Sequence, residues 1–129
     1  MHMELINPII EEYSQKISTP SGLLLHEIHS YTMQHHSQAH MLSSEVQGRF
    51  LALLSALLQP NYILEIGTFV GYSALCLSEG LQQEGELHTI ELREETAHIA
   101  LENFKKAEKT KQIHLNIGNA KNIIPTLPF

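Results

Sequence analysis

The pattern of hydrophobic and polar positions changes near residue 60. Before this point, apolar residues recur at intervals of three and four, which is typical of amphipathic helices. After it, short apolar runs alternate with helical stretches, and this order predicts parallel strands joined by helices. We therefore divide the chain into an N-terminal helical region, residues 1–60, and a truncated β-α-β-α-β half-domain, residues 61–129.

Capping residues predict three helices in the N-terminal region. Asn7-Pro8 and Thr19-Pro20 each place a capping side chain before a proline that suits the first helical turn. Ser44 and Gln47 have the spacing of a capping box at the start of the third helix. The apolar faces of these helices are larger than half a sheet would cover, so we expect the protein to form a homodimer.

Three strands are predicted in the second region, at about residues 62–66, 86–90 and 112–117. The first of them is a nearly continuous apolar run, which is typical of a parallel strand buried on both faces. Helices are predicted between the strands, at about residues 72–82 and 94–108. The fold class that follows is α/β, with a parallel half-sheet of three strands preceded by N-terminal helices.

This sheet has one edge that the chain leaves without a partner strand. Right-handed crossovers place both connecting helices on the same face, and in doubly wound folds the first strand is central. The N-terminal helices could cover the open edge, a second copy could pair with it, or the chain could be part of a longer protein. We favour the last of these interpretations.

Charge and composition narrow the range of partners. Eight basic and 14 acidic residues give a net charge of −6, so no basic field attracts nucleic acid or an anionic membrane surface. No apolar stretch approaches the roughly 20 residues that a membrane-spanning helix needs. Because the N-terminus lacks the features of a secretory signal and Cys76 is the single cysteine, we expect a cytoplasmic protein.

The candidate chemistry lies in a glycine loop after the first strand and an acidic residue after the second. Gly67 and Gly71 leave room for a ligand close to the backbone, and Glu91 offers two acceptors for ribose hydroxyls. Phe69 stands where dinucleotide sites have a second glycine, which disfavours a pyrophosphate and hence a nicotinamide cofactor. A nucleoside without phosphate fits better, and S-adenosylmethionine is the common one. Alternatively, the glycines only permit tight packing and Glu91 is solvated.

These residues belong to four stretches in which the chain resembles a known family between about Met41 and Leu127. The family is the cation-dependent class I O-methyltransferases, which include the caffeoyl-coenzyme A and catechol enzymes. The resemblance implies a Rossmann-like methyltransferase fold and S-adenosylmethionine as cofactor. The four stretches are residues 41–51, 63–74, 85–91 and 113–120.

The resemblance also implies roles for residues at the methionine end of the cofactor. Met41 and Ser43 would lie in the segment that closes over the cofactor. Glu65 and Gly67 would line the methionine end of the pocket, and Ser73 would bind the methionine carboxylate. The first turn of a helix suits such an anion, because its backbone N–H groups lack intrahelical partners.

At the nucleoside end, the resemblance implies that Glu91 holds the ribose hydroxyls, that Leu92 packs on the adenine and that Ala120 borders it. The implied substrate is a small molecule, a catechol-like or other vicinal dihydroxy aromatic. A magnesium-like divalent cation is also implied. Its ligands and the catalytic lysine belong to a continuation that this chain lacks, so no catalytic residue and no metal ligand are assigned. A non-catalytic cofactor-binding or dimerisation module is the alternative function.

The sequence offers two further candidate sites, a histidine-rich segment and a single cysteine. Five histidines, His26, His29, His35, His36 and His40, include pairs at helical spacing, but no nearby cysteine or second acidic residue completes a tetrahedral metal set. We interpret this segment as a polar helix end and loop over the cofactor mouth, with a pH-responsive role left open. Cys76 has no histidine partner in the local sequence, so we expect an inert buried thiol.

Overall fold

A computed structural model describes residues 6–129 of the chain. Short 3-10 turns occupy Ala39–Met41 and Ile124–Thr126. The helices and strands follow the predicted order, with the helical region first and the alternating region second. They are α1 Pro8–Ile17, α2 Leu23–His35, α3 Glu45–Leu58, β1 Tyr62–Ile66, α4 Tyr72–Ser78, β2 Glu86–Glu91, α5 Glu94–Lys106, β3 Ile113–Ile117 and α6 Ala120–Ile123.

The three strands form one parallel sheet in the order β1-β2-β3. Leu87 on the central strand and Ile113 on β3 lie opposite each other and share a buried cluster with Leu75 of α4 and Phe104 of α5. Helices α4 and α5 therefore cover the same face of the sheet, as right-handed crossovers require. The predicted α/β fold with a three-stranded parallel half-sheet is confirmed.

The prediction that β1 is buried on both faces is wrong. Side chains alternate along the strand, and Ile63 and Glu65 face the helices while Tyr62, Leu64 and Ile66 are exposed. The cause is that β1 pairs with β2 alone among the described strands, and no helix of residues 6–129 covers this face of the strand. The apolar run thus marks a surface that this part of the chain leaves open.

Helix α4 ends at Ser78, four residues earlier than periodicity predicts, because the chain there turns against α3. A Cβ atom at Gly80 would lie 2.1 Å from the carbonyl carbon of Ser55, so the two backbones touch. The Gln82 N–H donates to the carbonyl of Pro60 rather than continuing the helix. This contact fixes the N-terminal helices to the element that follows the first strand.

Two of the three predicted caps are confirmed. The Asn7 side chain accepts from the Ile9 N–H at 3.0 Å, and Ser44 and Gln47 form the reciprocal bonds of a capping box. The prediction that Thr19-Pro20 begins α2 is wrong, because Gly22 is the N-cap residue. The Ser21 hydroxyl instead donates to Glu45 of α3, so this segment is a connection between helices.

The N-terminal helices leave much apolar surface exposed. Helix α1 buries none of its residues, and α3 exposes Leu57 and Leu58, whereas Leu25 and Ile28 of α2 belong to the main core. Homodimerisation through the exposed faces stays a prediction. No helix within residues 6–129 is both long enough and apolar enough to cross a bilayer.

Two glycines in the loop after β1 allow a test of how this loop is held. Gly67 and Gly71 have φ of +94° and +85°, but only at Gly71 would a Cβ collide, 2.5 Å from the Phe104 ring. Gly67→Ala should lower the free energy of unfolding by about 1–2 kcal/mol through backbone strain alone. Gly71→Ala should lower it by at least about 1 kcal/mol more, through overpacking. Urea denaturation of the two variants measures the difference, and equal losses would contradict this account of the packing.

Candidate functional site

The carboxyl ends of the three strands surround a cleft of about 250 Å³. In open parallel sheets, this edge is where ligands bind. A larger groove of about 660 Å³ lies along α1 and α3, but its charged residues, Arg49 and Glu79, pair with each other at 2.6 Å. The residues that line the strand-end cleft are Ile66, Gly67, Ile90, Glu91, Leu92, Gly118, Asn119 and Ala120.

Glu91 is the last residue of β2, and its carboxylate is fixed by the backbone of two loops. One oxygen, Oε2, accepts from the Phe69 N–H at 2.7 Å, and the other, Oε1, accepts from the Arg93 N–H at 3.0 Å. The residue is buried, yet it lines the cleft. A carboxylate has about four acceptor positions, so this geometry leaves capacity on both oxygens for ligand hydroxyls.

The loop after β1 has the backbone shape that its glycines permit. The N–H groups of Gly67 and Thr68 both donate to the Ile90 carbonyl, and this brings the loop to the end of β2. A Cβ atom at Gly67 would meet no atom within 4 Å, so this position keeps open space beside the backbone. Phe69 itself has a φ of +51°, a left-handed conformation that non-glycine residues rarely adopt.

Gly71 differs from Gly67 in what it faces. Its absent Cβ points at Phe104 of α5, and its N–H donates to the Thr68 carbonyl. Gly71 therefore permits tight packing between the loop and α5, which is the structural alternative raised from the sequence. Contact between Gly71 and a cofactor stays a prediction that this placement does not support.

Glu65 lies in a buried hydrogen-bond network beside the cleft. Its Oε1 accepts from the Ser73 hydroxyl at 2.6 Å, and its Oε2 accepts from the Thr89 hydroxyl at 2.5 Å. Burial raises the pKa of Glu65, and the negative charge of Glu91 raises it further, while the two hydroxyl donors oppose this shift. The carboxylate is thus held in place without a cation among its described partners.

Thr68 and Thr89 extend this network, and sequence analysis missed both. Their hydroxyl oxygens lie 2.5 Å apart, so Thr68 is linked through Thr89 to Glu65. Both threonines are fully buried. Thr89 could have been found from the sequence. It follows Leu87 by two residues on β2, so both side chains face the helices, and a polar residue at such an inward position indicates a buried hydrogen bond.

Residues 36–41 lie across the loops that follow β1 and β2. The His36 ring contacts Phe69 edge to face, with centroids 4.7 Å apart, and the Arg93 guanidinium donates to the Gln38 side chain. Met41 ends the 3-10 turn that follows and is half exposed, and Ser43 is partly buried just before α3. His36 and Gln38, from the histidine segment predicted to lie over the cofactor mouth, therefore contact the site loops, and the placement of Met41 and Ser43 over the cofactor stays a prediction. Neither the His36 nor the Gln38 contact was predicted.

Leu92 and Ala120 both line the outer part of the cleft. Leu92 is exposed, and Ala120 is the first residue of α6, whose N-terminus is capped by the Asn119 side chain. The Gly118 N–H donates to the Glu91 carbonyl at 2.8 Å, which holds the end of β3 against the end of β2. Four predicted residues, Gly67, Glu91, Leu92 and Ala120, thus line one cleft.

Cys76 and the histidine segment were the two other candidate sites in the sequence. Burial raises the pKa of the Cys76 thiol to about 11, which fits the expected inert thiol. Within residues 6–129, the histidines from 26 to 40 do not bring three potential metal ligands together. His36 is instead a packing partner of the glycine loop.

A protein-family profile and curated relatives both match large parts of this chain. The profile of the O-methyltransferase family matches residues 15–128. A catechol O-methyltransferase from Niastella koreensis is 40% identical over 81 residues, which are 63% of this chain and 37% of that protein. This chain spans about a third to a half of the length of the curated relatives that it matches.

Solved structures of proteins named as methyltransferases have the same fold as this chain. An SAH-bound methyltransferase from Podospora anserina has a TM-score of 0.89 and 28% identity, over 100% of this chain and 57% of that one. An O-methyltransferase from Streptomyces achromogenes, solved in complex with SAM, has a TM-score of 0.82 and 30% identity, over 100% and 57%. From the family match, these relatives and the strand-end cleft, the chain belongs to the O-methyltransferase family.

Proposed function

We propose that this chain binds S-adenosylmethionine in the strand-end cleft and is the cofactor-binding part of an O-methyltransferase. The observation that carries the proposal is the Glu91 carboxylate, which two backbone N–H groups hold in the same cleft as Gly67. Solved relatives that share this fold have S-adenosylhomocysteine or S-adenosylmethionine bound. The family match over residues 15–128 supports the same assignment.

The nucleoside part of the cofactor fits the outer part of the cleft. The free acceptor positions of Glu91 receive the two ribose hydroxyls, and the backbone contacts at Phe69 and Arg93 keep both oxygens oriented toward them. Leu92 and Ala120 offer apolar surface to the adenine on either side. Because Glu91 is oriented before binding, its side chain loses little conformational entropy when the ligand binds.

The methionine part of the cofactor fits the region of Gly67 and Glu65. The open space at Gly67 admits the chain of the ligand close to the backbone. Glu65 is a buried carboxylate, and the ammonium group of methionine is a cation that would stabilise its charged form. Ser73, bonded to Glu65, lies in the first turn of α4, where the methionine carboxylate would be favoured, and Met41 and Ser43 lie in the overlying segment.

A catechol-like hydroxyl is the acceptor that we propose. Relatives named catechol and caffeoyl-CoA O-methyltransferase support this class. The cofactor supplies an electrophilic methyl group when bound, and the residues of this chain orient it. A divalent cation belongs to the proposal for the whole enzyme, but Glu65 and Glu91 both have hydrogen-bond partners within the described residues and form no cation site here. We therefore assign Glu65 and Glu91 no part in binding that cation.

Binding of the cofactor product can be tested by calorimetric titration with S-adenosylhomocysteine. Glu91→Gln removes the charge and replaces one acceptor oxygen with an NH2 donor that would face a backbone N–H. We expect affinity to fall about 10- to 100-fold, through the loss of hydrogen bonds to a charged group. The matched control is Glu94→Gln, an exposed glutamate in the first turn of α5, which should bind like the wild type. Equal affinity of the wild type and Glu91→Gln would contradict the proposed ribose site.

Methyl transfer can be tested with labelled S-adenosylmethionine, catechol and Mg²⁺. We expect the protein that carries this chain to form a labelled monomethyl ether, and Glu91→Gln to lower its yield at subsaturating cofactor. Saturable cofactor binding without any product would overturn the enzymatic proposal and leave the alternative, a non-catalytic binding module. The product is measured by chromatography, with an enzyme-free reaction as the control.

A further inference from the structure

The face of the sheet opposite α4 and α5 carries a cluster of potential metal ligands that the cofactor site does not use. Among residues 6–129, Glu86, His88 and His114 place one carboxylate oxygen and two imidazole nitrogens within 4.8 Å of one another. Glu86 and His88 are two residues apart on β2, and His114 lies opposite His88 on β3, so all three side chains share one face. This face is the one opposite α4 and α5.

The spacing of the three atoms suits a small divalent cation. The Glu86 Oε2 atom lies 3.0 Å from His88 Nε2 and 4.0 Å from His114 Nε2. Ligands about 2.0–2.2 Å from a tetrahedral zinc ion lie about 3.3–3.5 Å from each other, so small side-chain adjustments bring all three into range. Within the described residues the His114 Nε2 atom is buried without a hydrogen-bond partner, and the His88 side chain is nine-tenths buried.

The arrangement of the rings and charges points to the same group. The His88 and His114 rings lie 4.7 Å apart, and the His88 Nε2 atom lies within hydrogen-bond distance of the Glu86 carboxylate. Two imidazoles and one carboxylate form a donor set that zinc prefers, whereas magnesium and calcium prefer oxygen ligands. Two imidazole rings beside a carboxylate supply the donor atoms that bind such an ion.

We propose that Glu86, His88 and His114 form a zinc site that joins β2 to β3 on the face of the sheet opposite α4 and α5. Glu86 begins β2 and Glu91 ends it, so Glu86 and His88 lie about 10–16 Å along the strand from the proposed ribose acceptor. The Phe129 ring packs on His88 and Tyr62 and shields one side of the cluster. The ion has a structural role, because it ties two strands together at the end remote from the cofactor cleft.

The test is a competition titration of the metal-free chain with Zn²⁺ against a chromophoric chelator. We expect the wild type to bind one Zn²⁺ ion per chain tightly. Glu86→Gln and His114→Ala each remove a ligand at a partly exposed side chain, so the fold should persist, as circular dichroism would verify. Each variant should lower the zinc affinity at least about 100-fold, because loss of even an outer-shell partner lowers metal affinity about 10- to 100-fold. His98→Asn, an exposed histidine of α5, is the matched control and should bind like the wild type.

Other results of these titrations would contradict the zinc site or separate it from the proposed cofactor site. Equal zinc affinity in all four proteins would assign the binding to other histidines and overturn the site, as would the absence of a tight equivalent in the wild type. Both ligand variants should titrate with S-adenosylhomocysteine like the wild type, so failure of the cofactor proposal would appear separately.

Discussion

The strand-end cleft depends on one buried carboxylate that connects two loops. Glu91 accepts the Phe69 N–H with one oxygen and the Arg93 N–H with the other, so the end of β2 and the loop after β1 hold a fixed relative position. Burial of this charge is unfavourable unless hydrogen bonds compensate for it, and two backbone donors do so. The residue that would bind the ribose is therefore also the residue that shapes the pocket.

Packing behind the cleft makes this arrangement stable. Asn103 of α5 donates to the Val70 carbonyl at 2.9 Å, and the Phe104 ring fills the space that a side chain at position 71 would need. The Thr68, Thr89 and Glu65 network satisfies the polar groups beneath the loop. Because backbone and side-chain contacts both restrain residues 67–71, the left-handed conformation of Phe69 can persist.

Sequence patterns predicted the order of elements and the main cleft residues because both depend on local periodicity and on the strand-end rule. They failed where tertiary contacts decide the outcome. The end of α4 is set by Gly80 against α3, and Glu45, rather than Thr19, determines how the chain enters α2. The contact of His36 with Phe69 and the cluster around Glu86 join residues from separate elements, and only the register of the folded chain brings them together.

The central claim is that the strand-end cleft is the cofactor site, and amide chemical shifts of the isotope-labelled chain test it most directly. On titration with S-adenosylhomocysteine, the account predicts that the largest shifts occur at Gly67, Phe69, Arg93 and Gly118, whose backbones surround Glu91. The groove along α1 and α3 should stay unaffected. Shifts confined to that groove, or no shifts in a folded chain, would contradict the account.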